Sequence, residues 1–283
     1  VSEREPIVWG EPLPDHLSAS SLSMFSRCPE QWRQRYVLGR KERPGAALLW
    51  GKADHFAHEV NFEQKIESHE DLPMGDVLDA FSQGITDALN EVGGELEVEW
   101  GRVRLADVKD NGSRLVAAYH SKVSPMVQPI AVEERFEFVV PDVPVPIIGF
   151  IDTETERAII DGKTSGARVA VPKPSWRLQG VLYQASKRKP VSWHVKTKTK
   201  VPAVYTSMDA GFENLHVPFS ERLVDLALVR VRHLVERIAG LMAEFGPDHP
   251  WPTTAMDVGW RDDFCGYCGY RPGCEWWRAL EAA

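Results

Sequence analysis

Ile147-Ile-Gly-Phe-Ile-Asp152, followed across a short polar turn by Ala158-Ile-Ile-Asp-Gly-Lys163-Thr-Ser165, is the stretch whose reading decides the fold. Two runs rich in β-branched residues with a turn between them read as a β-hairpin. The first run ends in an acid. Side chains alternate along a strand, so Asp161 and Lys163 share one face of the second run. Carboxylates near the ends of adjacent strands, with an ammonium beside them, suit a hard divalent cation. A cation so held activates water and stabilises charge on a phosphoryl group. The same residues also suit a plain ion pair on an exposed hairpin. Gly162-Lys163-Thr164 resembles the end of a phosphate-binding loop, but that loop needs a Gly five positions before Gly162, and Arg157 stands there.

Outward from the hairpin, the chain changes character once. Upstream, a Pro-rich arm precedes Ser18-Ala-Ser-Ser-Leu-Ser, whose hydroxyls can cap a helix over 18–36. Further helices are expected over 48–67, 76–92 and 103–123. Strands follow at 132–140, 145–151, 157–163, 191–195 and 201–207, with a helix over 175–187 between the third and fourth. A long amphipathic helix over 220–245 leads to a Pro- and Trp-rich connection and a Cys-rich tail. This order predicts an α/β class with a mixed central β-sheet flanked by helices.

Three more constellations can carry chemistry. Gly51-x-x-x-His55-x-x-x-Glu59 places its residues on one helical face, where a Gly permits close approach and a His can reach a metal. An ordinary interface histidine would look the same. Gln179 and Tyr183 share a face of the inter-strand helix and can hydrogen-bond phosphate oxygens, with core packing of Tyr183 as the alternative. The four cysteines are Cys28, Cys265, Cys268 and Cys274. Four thiolates with none left over match the ligand count of a [4Fe–4S] cluster or a structural Zn2+. Two disulfides are the alternative, disfavoured because the chain shows no export leader and is long enough to build a core without them.

In order and spacing, Gly51-x-x-x-His55-x-x-x-Glu59, Gly149-x-x-Asp152, Asp161-x-Lys163 and Gln179-x-x-x-Tyr183 resemble the RecB-type exonuclease branch of the PD-(D/E)XK nuclease superfamily. The split cysteine set is similar to the iron–sulfur staple of some members, among them CRISPR-adaptation exonucleases and the AddB helicase–nuclease. The resemblance implies a restriction-endonuclease-like core whose staple joins the N-terminal helix to the C-terminal tail. It divides the chain into an arm over 1–17 and a single nuclease domain over 18–283. That domain has a helical part over 18–125, a catalytic core over 126–245 and a Cys-rich segment over 246–283. It also implies that His55, Asp152 and Asp161 hold Mg2+ or Mn2+, with the Gly162 carbonyl contributing. Lys163 would orient or deprotonate the attacking water. Gln179 and Tyr183 would position the DNA strand, and Cys28, Cys265, Cys268 and Cys274 would hold the cluster. Ile151 replaces the motif's Pro, Asp161 its commoner Glu, and Gly162 stands where a bulkier apolar residue is usual. The implied activity is metal-dependent hydrolysis at single-stranded or duplex DNA ends in recombination, repair or DNA processing. A phage source and a recombination or helicase partner protein are in keeping with it. The alternatives are a catalytically weak DNA-end-binding subunit and a redox-sensing iron–sulfur DNA-binding protein.

Charge is consistent with such a partner once its distribution is considered. The 283 residues carry a formal net charge of −8, which by itself argues against a polyanionic ligand. Residues 157–200, however, contain eleven basic residues and one acid, and 27–43 contain six basic residues and two acids. The basic blocks coincide with the hairpin, the Gln179 helix and the Cys28 helix. Lys196-Thr-Lys198-Thr-Lys200 would present Lys196 and Lys198 on one strand face as a phosphate track, or else as guards of a solvated edge strand. No apolar run is long enough to span a membrane. The charged start lacks a secretory leader, so a cytoplasmic location in a bacterial, archaeal or phage-infected cell is expected.

Overall fold

Ser18 opens the first helix with a reciprocal cap. The Ser21 N–H donates to the Ser18 hydroxyl at 3.2 Å, and the Ser18 N–H donates to the Ser21 hydroxyl at 3.0 Å. In the computed structural model, which describes residues 6–198, 203–205, 216–253 and 265–282, this helix is α1 (Ala19–Arg27). It does not run on to residue 36 as the sequence suggests. Pro29 forces the residue before it out of the helical region, so Cys28 is extended at φ −156°, ψ 110°. The chain resumes as α2 (Pro29–Trp32) and a wide π-turn at Arg33–Val37.

The remaining elements are α3 (Ala46–Ser68), α4 (Met74–Val92), α5 (Leu105–Lys122), β1 (Ala131–Phe138), β2 (Ile147–Glu154), β3 (Ile159–Ser165), α6 (Pro174–Lys187), β4 (Val191–Thr197), β5 (Ala203–Tyr205), β6 (His216–Val217), α7 (Glu221–Phe245) and α8 (Glu275–Ala282). Of the predicted strand over 201–207, residues 203–205 are described as β5 and the other positions lie outside the described residues. Among the described residues no helix is long and apolar enough to cross a membrane.

The strands form one mixed sheet in the order β1-β2-β3-β4-β5, with β6 pairing β4. β2 and β3 are the antiparallel hairpin, in register at Thr153↔Ile160 and Glu154↔Ile159. β3 and β4 are parallel, aligned from Ile159↔Val191 to Ser165↔Thr197, and a parallel pair needs a crossover, which α6 supplies. All seven residues of β4 are buried, the pattern of a strand covered on both faces.

The chain divides into two compact units. One comprises Arg43–Phe136 and Phe150–Ser220, and so holds α3 to α6 and most of the sheet. Its helices pack through Trp50, Ala53, Ala57, Phe81, Ile85, Leu115 and Val116. Phe62, Tyr119, Val123 and Val127 then join α3 and α5 to Val132 and Ile160 of the sheet. The other unit comprises Val1–Glu42, Glu137–Gly149 and Glu221–Ala283, so it gathers both ends of the chain. There Glu30, buried, accepts two hydrogen bonds from Arg33 at 2.8 Å and one from the Trp251 N–H at 2.8 Å. Trp32 stacks on Trp251 with ring centroids 5.8 Å apart.

α6 lies close against β4 because Gly180 has no side chain. A Cβ there would fall 2.9 Å from Cζ2 of Trp193, which is fully buried and cannot retreat. Gly180→Ala should destabilise the fold by about 1–3 kcal/mol in urea unfolding. An unchanged midpoint would contradict this packing.

Candidate active site

α3 runs beside β3, and the spaced motif residues meet it in turn. Gly51 approaches Thr164, where a Cβ would come 4.0 Å from the threonine hydroxyl. One helical turn on, His55 Nε2 lies 3.1 Å from the Gly162 carbonyl oxygen. The same nitrogen lies 3.1 Å from Asp152 Oδ2. Asp152 Oδ2 in turn accepts a 2.9 Å hydrogen bond from the Gly162 N–H. The two peptide groups of Gly162 thus bind the acid of β2 and face the imidazole of α3. Its missing side chain leaves room for both: a Cβ would meet Lys196 Nζ at 3.4 Å, His55 Nε2 at 3.7 Å and Asp152 Oδ2 at 3.9 Å.

Neighbouring ligand atoms around an octahedral ion with bonds near 2.1 Å stand about 3.0 Å apart. The two 3.1 Å separations from His55 Nε2, one to Asp152 Oδ2 and one to the Gly162 oxygen, fit that geometry. Among the described residues, the one trio of His, Cys, Asp or Glu ligand atoms within 4.8 Å of one another is His55, Glu133 and Asp152. Glu133, on β1, carries no motif in the sequence and is the residue that sequence reasoning missed. The Asp152 carboxylate, and secondarily Glu133, raise the His55 pKa to about 10 against the opposing effect of burial. Glu59, the third member of the helical face, is pushed up by burial and by the charges of Glu133 and Glu63.

Asp161, next to Gly162 on β3, is within electrostatic reach of both Asp152 and His55. Fully buried, it lies 2.6 Å from Lys163 Nζ and accepts a 3.0 Å hydrogen bond from the Tyr183 hydroxyl. Gln179 Nε2 donates to that hydroxyl at 2.6 Å. The sequence assigns Gln179 and Tyr183 to a DNA strand. Tyr183 is 2% exposed, and its hydroxyl is engaged by Asp161 and Gln179. Burial and the nearby Asp152 raise the Asp161 pKa above the usual carboxylate range, with Lys163 opposing. Burial pulls Lys163 down, but Asp161 and Asp152 outweigh it, so its ammonium is held above its ordinary value.

Of the expected phosphate track, Lys196 is 1% exposed and paired with buried Asp54 on α3. Lys196 and His58 hold the Asp54 carboxyl below its usual range despite burial. Lys198 is half-buried, its ammonium 5.0 Å from the centre of the Trp50 ring. Lys200 lies outside the described residues.

In the other unit, Cys28, Cys265, Cys268 and Cys274 line one pocket with Glu30 and Thr253. None is in a disulfide. Burial, then the neighbouring thiols, pushes Cys265 up, and burial pushes Cys268 up to about 11. A tetrahedral zinc site of four thiolates requires sulfurs about 3.8 Å apart, and no three of these sulfurs lie within 4.8 Å of one another.

A family model of the PD-(D/E)XK nuclease superfamily matches residues 16–275. The chain belongs to that superfamily. A crystal structure of a candidate exonuclease from Eubacterium rectale superposes with a TM-score of 0.55 at 17% identity, over 88% of each chain, and supports the shared fold. The structure of SSO0001 aligns over 90% of this chain and 94% of its own at 14% identity, but its TM-score of 0.32 carries no argument. No curated protein matches. The mixed sheet flanked by helices is the restriction-endonuclease-like core of PD-(D/E)XK proteins.

For this PD-(D/E)XK site the His55 pKa has a consequence. A folded value near 10 against 6.5 means that its contribution to metal-free stability is complete below about pH 6.5 and lost as pH rises to about 10. A metal must displace that proton. Mn2+ affinity should therefore climb between pH 6.5 and 9, by up to about tenfold per unit, and calorimetric titration checks this. An affinity independent of pH would remove His55 from the ligand set.

Proposed function

We propose that the chain is a metal-dependent DNA exonuclease of the RecB-type branch, hydrolysing phosphodiester bonds at strand ends in recombination, repair or DNA processing. The observation that carries this reading is the placement of His55 Nε2 at 3.1 Å from both Asp152 Oδ2 and the Gly162 carbonyl oxygen, beside the Asp161–Lys163 pair. The donor set of two carboxylates, an imidazole and a carbonyl suits Mg2+ or Mn2+, held by His55, Asp152, Asp161 and the Gly162 oxygen. When bound, the ion supplies Lewis-acid polarisation of a phosphoryl oxygen and lowers the pKa of water.

The chain's own groups do the rest. Lys163 lines an open groove with Gly51, Lys52, Thr164, Lys173 and Trp176, which suits a nucleic-acid backbone. Held as an ammonium, Lys163 orients the attacking water and stabilises negative charge as it develops, rather than acting as a base. Tyr183 stays neutral under burial and the Asp161 charge, and its hydroxyl fixes the Asp161 carboxylate. Gln179 fixes the tyrosine. The exonuclease name of the Eubacterium rectale protein agrees with this activity.

The four-cysteine pocket is assigned to a [4Fe–4S] cluster. Its thiols are spread around a pocket wall rather than gathered about a point, which suits a polynuclear body better than one zinc ion. The raised pKa values of Cys265, Cys268 and Cys274 call for a strongly cationic centre to keep those sulfurs as thiolates. The cluster's role is to tie the Cys28 segment to the tail.

Digestion of end-labelled single- and double-stranded DNA with Mg2+ or Mn2+ tests the activity. Lys163→Ala should lower the rate about 10²–10³-fold while leaving the protein folded, and full activity in that variant would refute the assignment. Anaerobically purified protein should be brown, with about four irons per chain. Cys274→Ala should lose the colour and melt at lower temperature. A colourless protein with one zinc would assign the pocket to zinc.

A further inference from the structure

β1 changes face in the middle. Val132 packs against the cluster of Phe62, Tyr119, Val123 and Val127, on the side of α3 and α5. Glu134 pairs with Lys187 of α6 at 2.6 Å, and Phe136 meets the ring of Tyr183, also on α6, edge-on at 5.7 Å. In an unbroken strand residues 132, 134 and 136 would all point one way. The reversal falls at Glu133, whose φ of +46° lies in the left-handed region that non-glycine residues rarely adopt. Two successive side chains, Val132 and Glu133, therefore reach the α3 side, the arrangement of a β-bulge, which re-aims a side chain.

The bulge sends Glu133 to His55. Its Oε1 lies 3.7 Å from His55 Nδ1, while Nε2 on the far side of the ring faces Asp152 and the Gly162 carbonyl. The two ring nitrogens thus have different surroundings, the Glu133 carboxylate at one and a cluster of ligand atoms at the other. A carboxylate that accepts the N–H of one ring nitrogen fixes the tautomer and leaves the other nitrogen's lone pair for a cation. Glu134, the neighbouring acid, is occupied by Lys187 and cannot substitute.

We propose that Glu133, delivered by the β1 bulge, is the positioning residue that holds His55 with Nδ1 protonated and Nε2 presented to the divalent ion. The inference rests on the reading of His55 and Asp152 as metal ligands. No motif of the sequence marks this residue, because the bulge and not the local residue pattern creates its role.

The test is calorimetric Mn2+ titration of the full-length protein and of Glu133→Gly, Glu133→Ala, Glu133→Gln and Asp152→Asn, together with melting in EDTA and 15N NMR of the His55 ring. Glu133→Gly and Glu133→Ala should weaken Mn2+ binding about 10–100-fold and scramble the His55 tautomer. Glu133→Gln, whose amide oxygen can still accept from Nδ1, should stay within a few-fold of wild type. Glycine adopts the left-handed backbone freely, so Glu133→Gly should still melt cooperatively as a folded protein, with only the small loss due to the missing His55 partner, and binding is lost without loss of fold. Binding that is lost in Asp152→Asn but untouched in Glu133→Gly would overturn this inference alone. A Gln variant as weak as the Gly variant would make the carboxylate a direct ligand and overturn the positioning role. No Mn2+ binding by wild type would overturn the metal-site reading and this inference with it.

Discussion

The backbone of Gly162 is the constraint on which the rest of the site depends. Its N–H holds the Asp152 carboxylate, its carbonyl faces His55, and its missing side chain lets three polar groups converge where a Cβ would stand. β2 and β3 pair as a hairpin, and α3 lies along β3, so an acid, an imidazole and a carbonyl from three separate stretches meet at one point. Asp161 and Lys163 flank it on the same strand as an ion pair; Asp161 is braced by Tyr183 of α6, and Lys163 reaches the groove that His55 and Gly162 also line.

Around that strand the protein buries several polar and charged groups in pairs. Asp54 of α3 pairs with Lys196 of β4, and Tyr119 donates to or accepts from His194 at 2.8 Å. Burial keeps His194 neutral, with a pKa near 3, and His58 near 4. Removing one member of a buried pair leaves an uncompensated charge, so such pairs fix a unique arrangement even where they add little net stability. Here they hold α3 in register against the sheet, which places His55 opposite Gly162.

Much of this was legible in the sequence. The β-branched runs around Asp152 and Asp161 announced the hairpin, and the four-residue spacing from Gly51 to Glu59 announced one helical face. Other features depended on contacts between distant segments. Lys196 and Lys198 alternate as an exposed strand face would, but β4 is buried on both faces, and alternation cannot reveal that. Tyr183 has the spacing of a ligand-facing residue, yet it points to Asp161 because α6 lies close enough, through Gly180, for the hydroxyl to reach. Glu133 sits in an ordinary polar strand, and only the bulge turns it towards His55. Chain order likewise gives no sign that residues 137–149 group with the two ends of the chain.

The central claim is that His55, Asp152 and the Gly162 carbonyl hold a divalent cation beside Lys163. Anomalous diffraction at the manganese edge, from crystals soaked in Mn2+, tests it most directly. The account predicts an anomalous peak about 2.1–2.3 Å from His55 Nε2, an Asp152 carboxylate oxygen and the Gly162 oxygen. A soaked crystal with its manganese bound elsewhere, and none at these three atoms, would contradict it.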